Sequence, residues 1–294
     1  MKITVIGTGL IGGSIAIDLR KAGISEKLIG VELSKDNARR ALELGLVDEV
    51  LPLDEAVRDA DLVVTAIPVN AIRSVLVKVL DSVSDQTIVI DTGSTKSMIC
   101  KAIANHSKRP QFVAAHPIAG TENSGPDAAF SGLFVQKTNI ICEKERSSEK
   151  ALETADKIFG VLGMRTIFMD PVEHDKHVAY VSHLSHVSSF LLGQTVLDIE
   201  KDEKNIFNLA GSGFASTVRL AKSSPDMWAP IFEQNAEYLS QALLEYIMHL
   251  QRFQYHLMKR DVNELHRIMK DANHIREVLE GIEMKQKPKQ LIEK

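Results

Sequence analysis

Cysteine is nearly missing from this chain: its 294 residues contain two, Cys100 and Cys142. That pair matches no zinc spacing and builds no disulfide framework, which excludes a small stapled scaffold and a cysteine-built metal centre. Both read as free thiols of a reducing compartment. Charge of one sign is also scarce. Thirty-five Lys and Arg stand against 39 Asp and Glu, a formal net charge of -4. No field of that size favours nucleic acid or an anionic membrane surface, so neither is expected as a partner. Apolar runs are short, and none reaches the length that spans a bilayer. The first residues read as a strand, without a charged segment followed by an apolar one, so a cytoplasmic protein is expected. Tryptophan occurs once, at Trp228. The rest is ordinary globular composition, 44% hydrophobic and 25% charged, in a chain long enough for one large or two medium domains.

What is present begins at the N-terminus. Lys2–Ile6 reads as a short apolar strand, Gly7-Thr8-Gly9-Leu10-Ile11-Gly12 follows at once, and the next residues read as a helix. Each glycine has a physical task. Gly7 allows a tight turn, Gly9 lets the backbone approach a pyrophosphate, and Gly12 lets the helix lie close on the strand. The helix start, at Leu10 and Ile11, offers free N–H groups and a positive dipole end to an anion. A second strand, Lys27–Val31, ends in Glu32, twenty residues past Gly12. A carboxylate there can accept hydrogen bonds from an adenosine ribose. The pattern by itself is a weak signal; strand, helix and acid at the proper distance make it specific for a dinucleotide. Glu32 would repel a 2′-phosphate, which favours NAD over NADP. Lys35, Arg39 and Arg40 could serve such a phosphate but read as a solvated helix face.

Further apolar runs are Glu49–Leu51, Leu62–Ile67, Thr87–Asp91, Phe112–His116, Asn139–Cys142 and Arg165–Met169. Short apolar runs between amphipathic helices predict a mostly parallel sheet covered on both faces, an α/β domain of Rossmann type. Pro68, at the end of its run, is expected to lie along the cofactor, with Val69 and Asn70 behind it. From Pro171 the pattern is almost purely helical. We therefore expect a nucleotide-binding domain over residues 1–170, an all-helical domain over 171–284 and a flexible tail over 285–294. The helical part can pack on itself or interlock with a second copy. Two long helices after Pro230 carry more apolar surface than one small domain hides, which favours a homodimer.

Polar residues cluster where strands end. Asp91-Thr92-Gly93-Ser94-Thr95-Lys96 follows the fifth run, and His116-Pro117-Ile118-Ala119-Gly120-Thr121-Glu122 follows the sixth. Loops at the carboxyl ends of parallel strands form the ligand crevice, so Ser94 and His116 can meet there. Ser182-His183-Leu184-Ser185-His186 and Arg219-Leu220-Ala221 leading to Pro225-Asp226-Met227-Trp228 come later. His183 and His186 are three residues apart, but with His174, Asp175 and His177 they follow no known ligand spacing, so no metal is expected.

With these motifs the chain resembles the prephenate dehydrogenases, enzymes of tyrosine synthesis that include arogenate-using members. The resemblance runs from Gly7 to Trp228, and it implies NAD-dependent oxidative decarboxylation of prephenate to 4-hydroxyphenylpyruvate. It also implies roles. His116 matches the catalytic histidine, acceptor and general base for the C4 hydroxyl; its plainer alternative is a buried structural histidine. Ser94 matches a residue orienting that hydroxyl, against the alternative of a helix N-cap. Arg219 matches the partner of a substrate carboxylate, against a solvated arginine with no acidic partner. His186 matches a pocket histidine, and His183 a more structural one. Thr121 and Glu122 match the pocket mouth, where Glu122 either gates access or pairs with a surface cation. Trp228 matches the pocket wall, or is plain core.

One departure stands out. Family members often carry a basic residue and an aspartate where this chain has Ala215 and Ser216. The missing cation leaves preference between prephenate and arogenate open. Two other readings remain: a 3-hydroxyacid dehydrogenase or imine reductase of similar build, and a non-catalytic NAD-binding sensor. The former lacks its lysine after Gly213, and the latter has no need of His116.

Overall fold

The computed structural model describes residues 1–201 and 205–286. In chain order the elements are β1 (Lys2–Ile6), α1 (Leu10–Lys21), β2 (Lys27–Val31), α2 (Lys35–Glu43), β3 (Glu49–Val50), α3 (Leu53–Arg58), β4 (Leu62–Thr65), α4 (Val69–Ser82), β5 (Ile88–Asp91), α5 (Ser97–Ala102), β6 (Phe112–Pro117), β7 (Thr138–Cys142), α6 (Glu149–Val161) and β8 (Arg165–Met169). Helices follow: α7 (Pro171–Val178), a π turn (Ala179–His183), α8 (Leu184–Glu200), α9 (Ser212–Thr217), α10 (Pro225–Gln234), α11 (Ala236–Met258), α12 (Val262–Ala272) and α13 (Ile275–Gln286).

All eight apolar runs are strands of one sheet, ordered β3-β2-β1-β4-β5-β6-β7-β8. Every pairing is parallel except β6 with β7, so the sheet is mostly parallel, as expected. Alternate residues of each strand enter opposite cores, because successive side chains of a strand point to opposite faces. Ile3, Val5, Leu62, Val64, Val113 and Ala115 pack on the α1 and α6 side. Ile6, Val63, Val89, Phe112 and Ala114 pack on the α4 and α10 side. Cys100 and Cys142 are free and buried in this second core, and burial pushes the Cys142 thiol up to about 12.

Strand order reverses between β1 and β4. That is the switch point at which ligands of open α/β sheets bind, beyond the carboxyl ends of the strands. The Gly7–Gly12 turn, Pro68, the Ser94 loop and His116 all lie at this end, after β1, β4, β5 and within the last turn of β6.

The chain divides into two compact units, residues 1–239 and 240–294. The sheet ends at Met169, where the pattern changes, and the first unit continues through α7 to α10. Asp170 caps α7 by accepting from Val172 N at 2.8 Å, and Pro171 occupies the first turn, where its missing N–H costs nothing. The helical run from Pro171 is interrupted by the π turn at Ala179–His183.

In the second unit Arg260 closes α11 with φ 52°, and Asp261 caps α12 through Glu264 N at 3.1 Å. Asn273 ends α12, so among the described residues the region from Ala236 on holds three helices, where two long ones were expected. Leu244, Met248, Leu257, Met258, Met269 and Leu279 are exposed on this unit. The expected tail lies, from residue 287 on, outside the described residues. Among the described residues no helix is long and apolar enough to cross a membrane.

Candidate active site

The glycine-rich turn has the geometry its spacing predicts. Gly7 has φ +88°, and a Cβ there would lie 2.5 Å from Ala66 O. A Cβ on Gly12 would lie 2.0 Å from Gly7 O, closer than any side chain is tolerated. Gly9 is different: a Cβ there meets nothing nearer than Gly125 N at 3.8 Å. Gly9 is also the N-cap of α1, with no side-chain cap and no acid in the first turn, so the N–H groups at Leu10 and Ile11 stay available to an anion.

Glu32 ties this turn to β2. One oxygen accepts from Thr8 N at 3.2 Å and Thr8 Oγ1 at 3.3 Å. The other accepts from Leu33 N at 3.0 Å and Ser34 N at 3.4 Å. Arg39 is engaged with Asp36, and Arg40 with Asp127 and Glu43. Pro68 and Asn70 are exposed beyond β4, whereas Val69 turns into the core.

His116 lies on β6 with its ring half-buried. Its Nδ1 is 2.8 Å from Nε2 of His174, and His174 Nδ1 is 2.8 Å from Oδ1 of Asp175. Asp175 is buried and accepts from two backbone groups, Lys96 N at 2.7 Å and Ser97 N at 2.8 Å. Those bonds and the His174 bond hold its carboxyl below the usual range, although burial opposes them. Lys96 itself is fully buried; its Nζ donates to Asp91 and, at 2.6 Å, to Ala115 O, the carbonyl just before His116. Burial, then the nearby His174, Lys96 and His183, drive the His116 pKa well below its ordinary value, so the ring is neutral at neutral pH.

Ser94 follows β5, next to β6 in the sheet, so Ser94 and His116 sit at the ends of adjacent parallel strands. Ser94 does not cap the following helix. That helix begins at Ser97, and its first N–H groups are taken by the distant Asp175 carboxylate, which replaces the cap expected of Ser94.

Arg219 and Glu122, expected separately at the pocket, are ion-paired at 3.1 Å. The arginine therefore has an acidic partner, which the sequence did not reveal. Thr121 Oγ1 accepts from Asn123 N at 3.2 Å and shapes the same loop. His186 is half-buried, donates from Nδ1 to Ser182 O at 3.0 Å and stacks on Trp228 at 3.5 Å between centroids. Trp228 is buried and packs against Phe232 and His183 as well. His183 is buried apart from His186, its Nδ1 accepting from Asn235 Nδ2 at 3.1 Å. In the sequence His174 and Asp175 stand out only as neighbours without a metal-ligand spacing; nothing there points to the burial of Lys96 against Asp91 or to Asn235.

Burial depresses the His183 pKa to about 4. Its unfolded value is near 6.5, so between those values the unfolded chain binds the extra proton and stability falls as pH falls. We expect roughly 3 kcal/mol of stability to be lost between pH 6.5 and 4 from this group alone. Urea unfolding across that range checks it: His183→Gln should flatten the loss, and an equal loss in that variant would contradict it.

A sheet whose order reverses at a glycine-rich turn, with a hydrogen-bonded histidine three strands away, defines a nucleotide-dependent dehydrogenase. The chain belongs to the prephenate dehydrogenase family: the family's nucleotide-binding domain matches residues 15–168 and its dimerization domain residues 170–271. It is 30% identical to the prephenate dehydrogenase of Bacillus subtilis over 98% of this chain and 78% of that one. The crystal structure of a prephenate dehydrogenase from A. aeolicus, in complex with hydroxyphenyl propionate and NAD+, superposes with a TM-score of 0.86 at 29% identity, covering 94% of this chain and 97% of that chain. The structure of Synechocystis arogenate dehydrogenase has a TM-score of 0.74 at 30% identity, over 95% of this chain and all (100%) of that chain.

Proposed function

We propose that this protein oxidises prephenate with NAD, releasing carbon dioxide and 4-hydroxyphenylpyruvate, with His116 as the base. The observation that carries the reading is the hydrogen-bonded His116 at the end of β6, at the carboxyl end of the sheet where the switch point lies. The dinucleotide fits the residues present. Gly9 leaves room for a pyrophosphate against Leu10 and Ile11, where Gly7 and Gly12 supply the turn and the close helix. Glu32 can exchange its long bond to Ser34 N, at 3.4 Å, for a ribose hydroxyl. With Arg39 and Arg40 engaged in ion pairs, the site suits NAD rather than NADP. Pro68 lies along the same groove.

When bound, NAD supplies the nicotinamide that takes the hydride from C4. The chain's own residues do the rest. Nε2 of His116 accepts the proton of the C4 hydroxyl, which Ser94 orients. As the C4 hydride departs, the C1–carboxylate bond breaks, carbon dioxide leaves and its electron pair completes the aromatic ring. Arg219 exchanges Glu122 for a substrate carboxylate, with Thr121 and Glu122 at the mouth. His186 and Trp228, stacked together, form a flat wall against the ring.

The test offers prephenate and arogenate separately, each with NAD and NADP, and follows reduced cofactor. Prephenate with NAD is the expected pair. Activity on arogenate alone would assign specificity to the Ala215-Ser216 change, and no activity with any pair would refute the reading. Arg219→Ala should raise the prephenate KM roughly 10- to 100-fold, the loss of a charge-assisted pair, with a smaller change in kcat. An unchanged KM would remove Arg219 from the site.

Residues 1–170 serve as the nucleotide-binding domain and 171–284 as the helical domain, a division supported by where the two family models meet. The exposed apolar residues of the second unit support a homodimer built on the helical part, in a cytoplasmic protein. Sedimentation should give twice 32.5 kDa; a monomer at micromolar concentration would contradict it.

A further inference from the structure

We propose that Asp175 and His174 are positioning residues for His116: acting in series, they hold its imidazole in the tautomer whose Nε2 lone pair is free to take the substrate proton. The proposal rests on the reading of His116 as base. It follows from counting protons along three side chains. Asp175 is an acceptor, because two backbone N–H groups already donate to it, from Lys96 at 2.7 Å and Ser97 at 2.8 Å. His174 Nδ1, at 2.8 Å from the same carboxylate, must then carry a proton, since a lone pair there would face a negative oxygen. Neutral His174 has one N–H, so its Nε2 is an acceptor. His116 Nδ1, at 2.8 Å from that Nε2, must in turn be the donor. The proton of neutral His116 is thereby fixed on Nδ1, leaving Nε2 bare. An isolated imidazole has no such fixed choice; the wrong tautomer would point N–H at the substrate hydroxyl and leave no base.

The series is rigid at its far end. Asp175 is buried, and Asn235 Nδ2 donates to its backbone carbonyl at 2.7 Å. The rings of His116 and His174 meet edge to face, 68° apart. The other charged or titratable groups facing His116 are Lys96, neutralised by Asp91, and His183. Neither can accept the Nδ1 proton in place of His174: the ammonium has no lone pair, and His183 Nδ1 is committed to Asn235. When His116 takes the substrate proton, the imidazolium keeps donating through Nδ1 to a histidine polarised by a carboxylate. The proton gained at Nε2 leaves later to solvent or product, and no net charge is stored in the series.

The test is the tautomer of His116, read by 15N–1H correlation spectra of the protein with labelled histidine and assigned by the loss of its signals in His116→Asn. The wild type should show Nδ1–H on both His116 and His174. His174→Phe removes the acceptor: His116 should shift toward Nε2–H, and kcat should fall about 100-fold while KM for prephenate and for NAD changes less than about threefold. His174→Gln retains an acceptor oxygen and should restore the Nδ1–H tautomer and most of kcat. Should His174→Phe not fold, the wild-type tautomer and the glutamine variant decide alone. An Nε2–H tautomer in the wild type, or a His174→Phe enzyme with unchanged tautomer and kcat, overturns the proposal. Should the wild type oxidise neither substrate, the functional reading fails, while the spectra still settle the tautomer.

Discussion

Replacing His116 with Asn is expected to reduce kcat by about 10²- to 10⁴-fold, the range of a lost general base. The side chain touches neither the Gly7–Gly12 turn nor Glu32, so NAD affinity, read by calorimetry, should stay within about twofold. That split separates an enzyme from an NAD-binding sensor, in which the same substitution would change nothing. The pH dependence of the wild type belongs to the same prediction. Burial and neighbouring positive charge hold the His116 pKa below its ordinary value. Catalysis needs the neutral ring, so kcat/KM should rise with pH through a value below about 6.5 and then level. His116→Asn should lose that limb. A variant within tenfold of wild-type kcat would remove His116 from the chemistry.

The largest expected effect on stability is at Lys96. Its ammonium is fully buried against Asp91 and the Ala115 carbonyl. Lys96→Met leaves the Asp91 carboxylate buried without its cation, a change that costs roughly 3–5 kcal/mol. Asp91 would keep its bonds from Gly93 N at 3.0 Å and Ala115 N at 3.1 Å, which do not replace a charge. Urea unfolding measures the loss. Adding Asp91→Asn to the same chain should recover part of it, because the unpaired charge is then gone. A loss below about 1 kcal/mol would show that the pair is not structural. Lys96→Met should also lower kcat, since the Lys96 ammonium anchors the Ala115 carbonyl preceding His116.

The sheet was legible because each strand is a short apolar run closed by a turn residue, and a buried parallel strand needs little else. Even the two-residue β3, Glu49–Val50, showed as a run. The nucleotide turn was legible because its constraints are local: Gly7, Gly9 and Gly12 lie within six residues, Gly7 and Gly12 where a Cβ would collide with backbone and Gly9 where the space stays open. Ser94 and His116 could be placed because residues at the carboxyl ends of adjacent parallel strands must converge. The supports of the site were not legible. His174 reaches His116 across 58 positions, and Asp175 reaches Lys96 across 79. No periodicity encodes such contacts; they exist only once α7 packs beside α5. The adjacent His174 and Asp175 were a visible signal, but one that fits a metal site equally well. The pairing of Arg219 with Glu122 was hidden for the same reason, being 97 residues apart. The π turn at Ala179–His183 has no signature in an otherwise helical stretch.

The most direct test of the account is stoichiometry: purified protein with prephenate and NAD, with NADH, carbon dioxide and 4-hydroxyphenylpyruvate measured in the same reaction. Oxidation at C4 with loss of the C1 carboxylate predicts one of each per turnover. NADH without carbon dioxide would make the protein a simple hydroxyl dehydrogenase on this fold, and no NADH would contradict the account altogether.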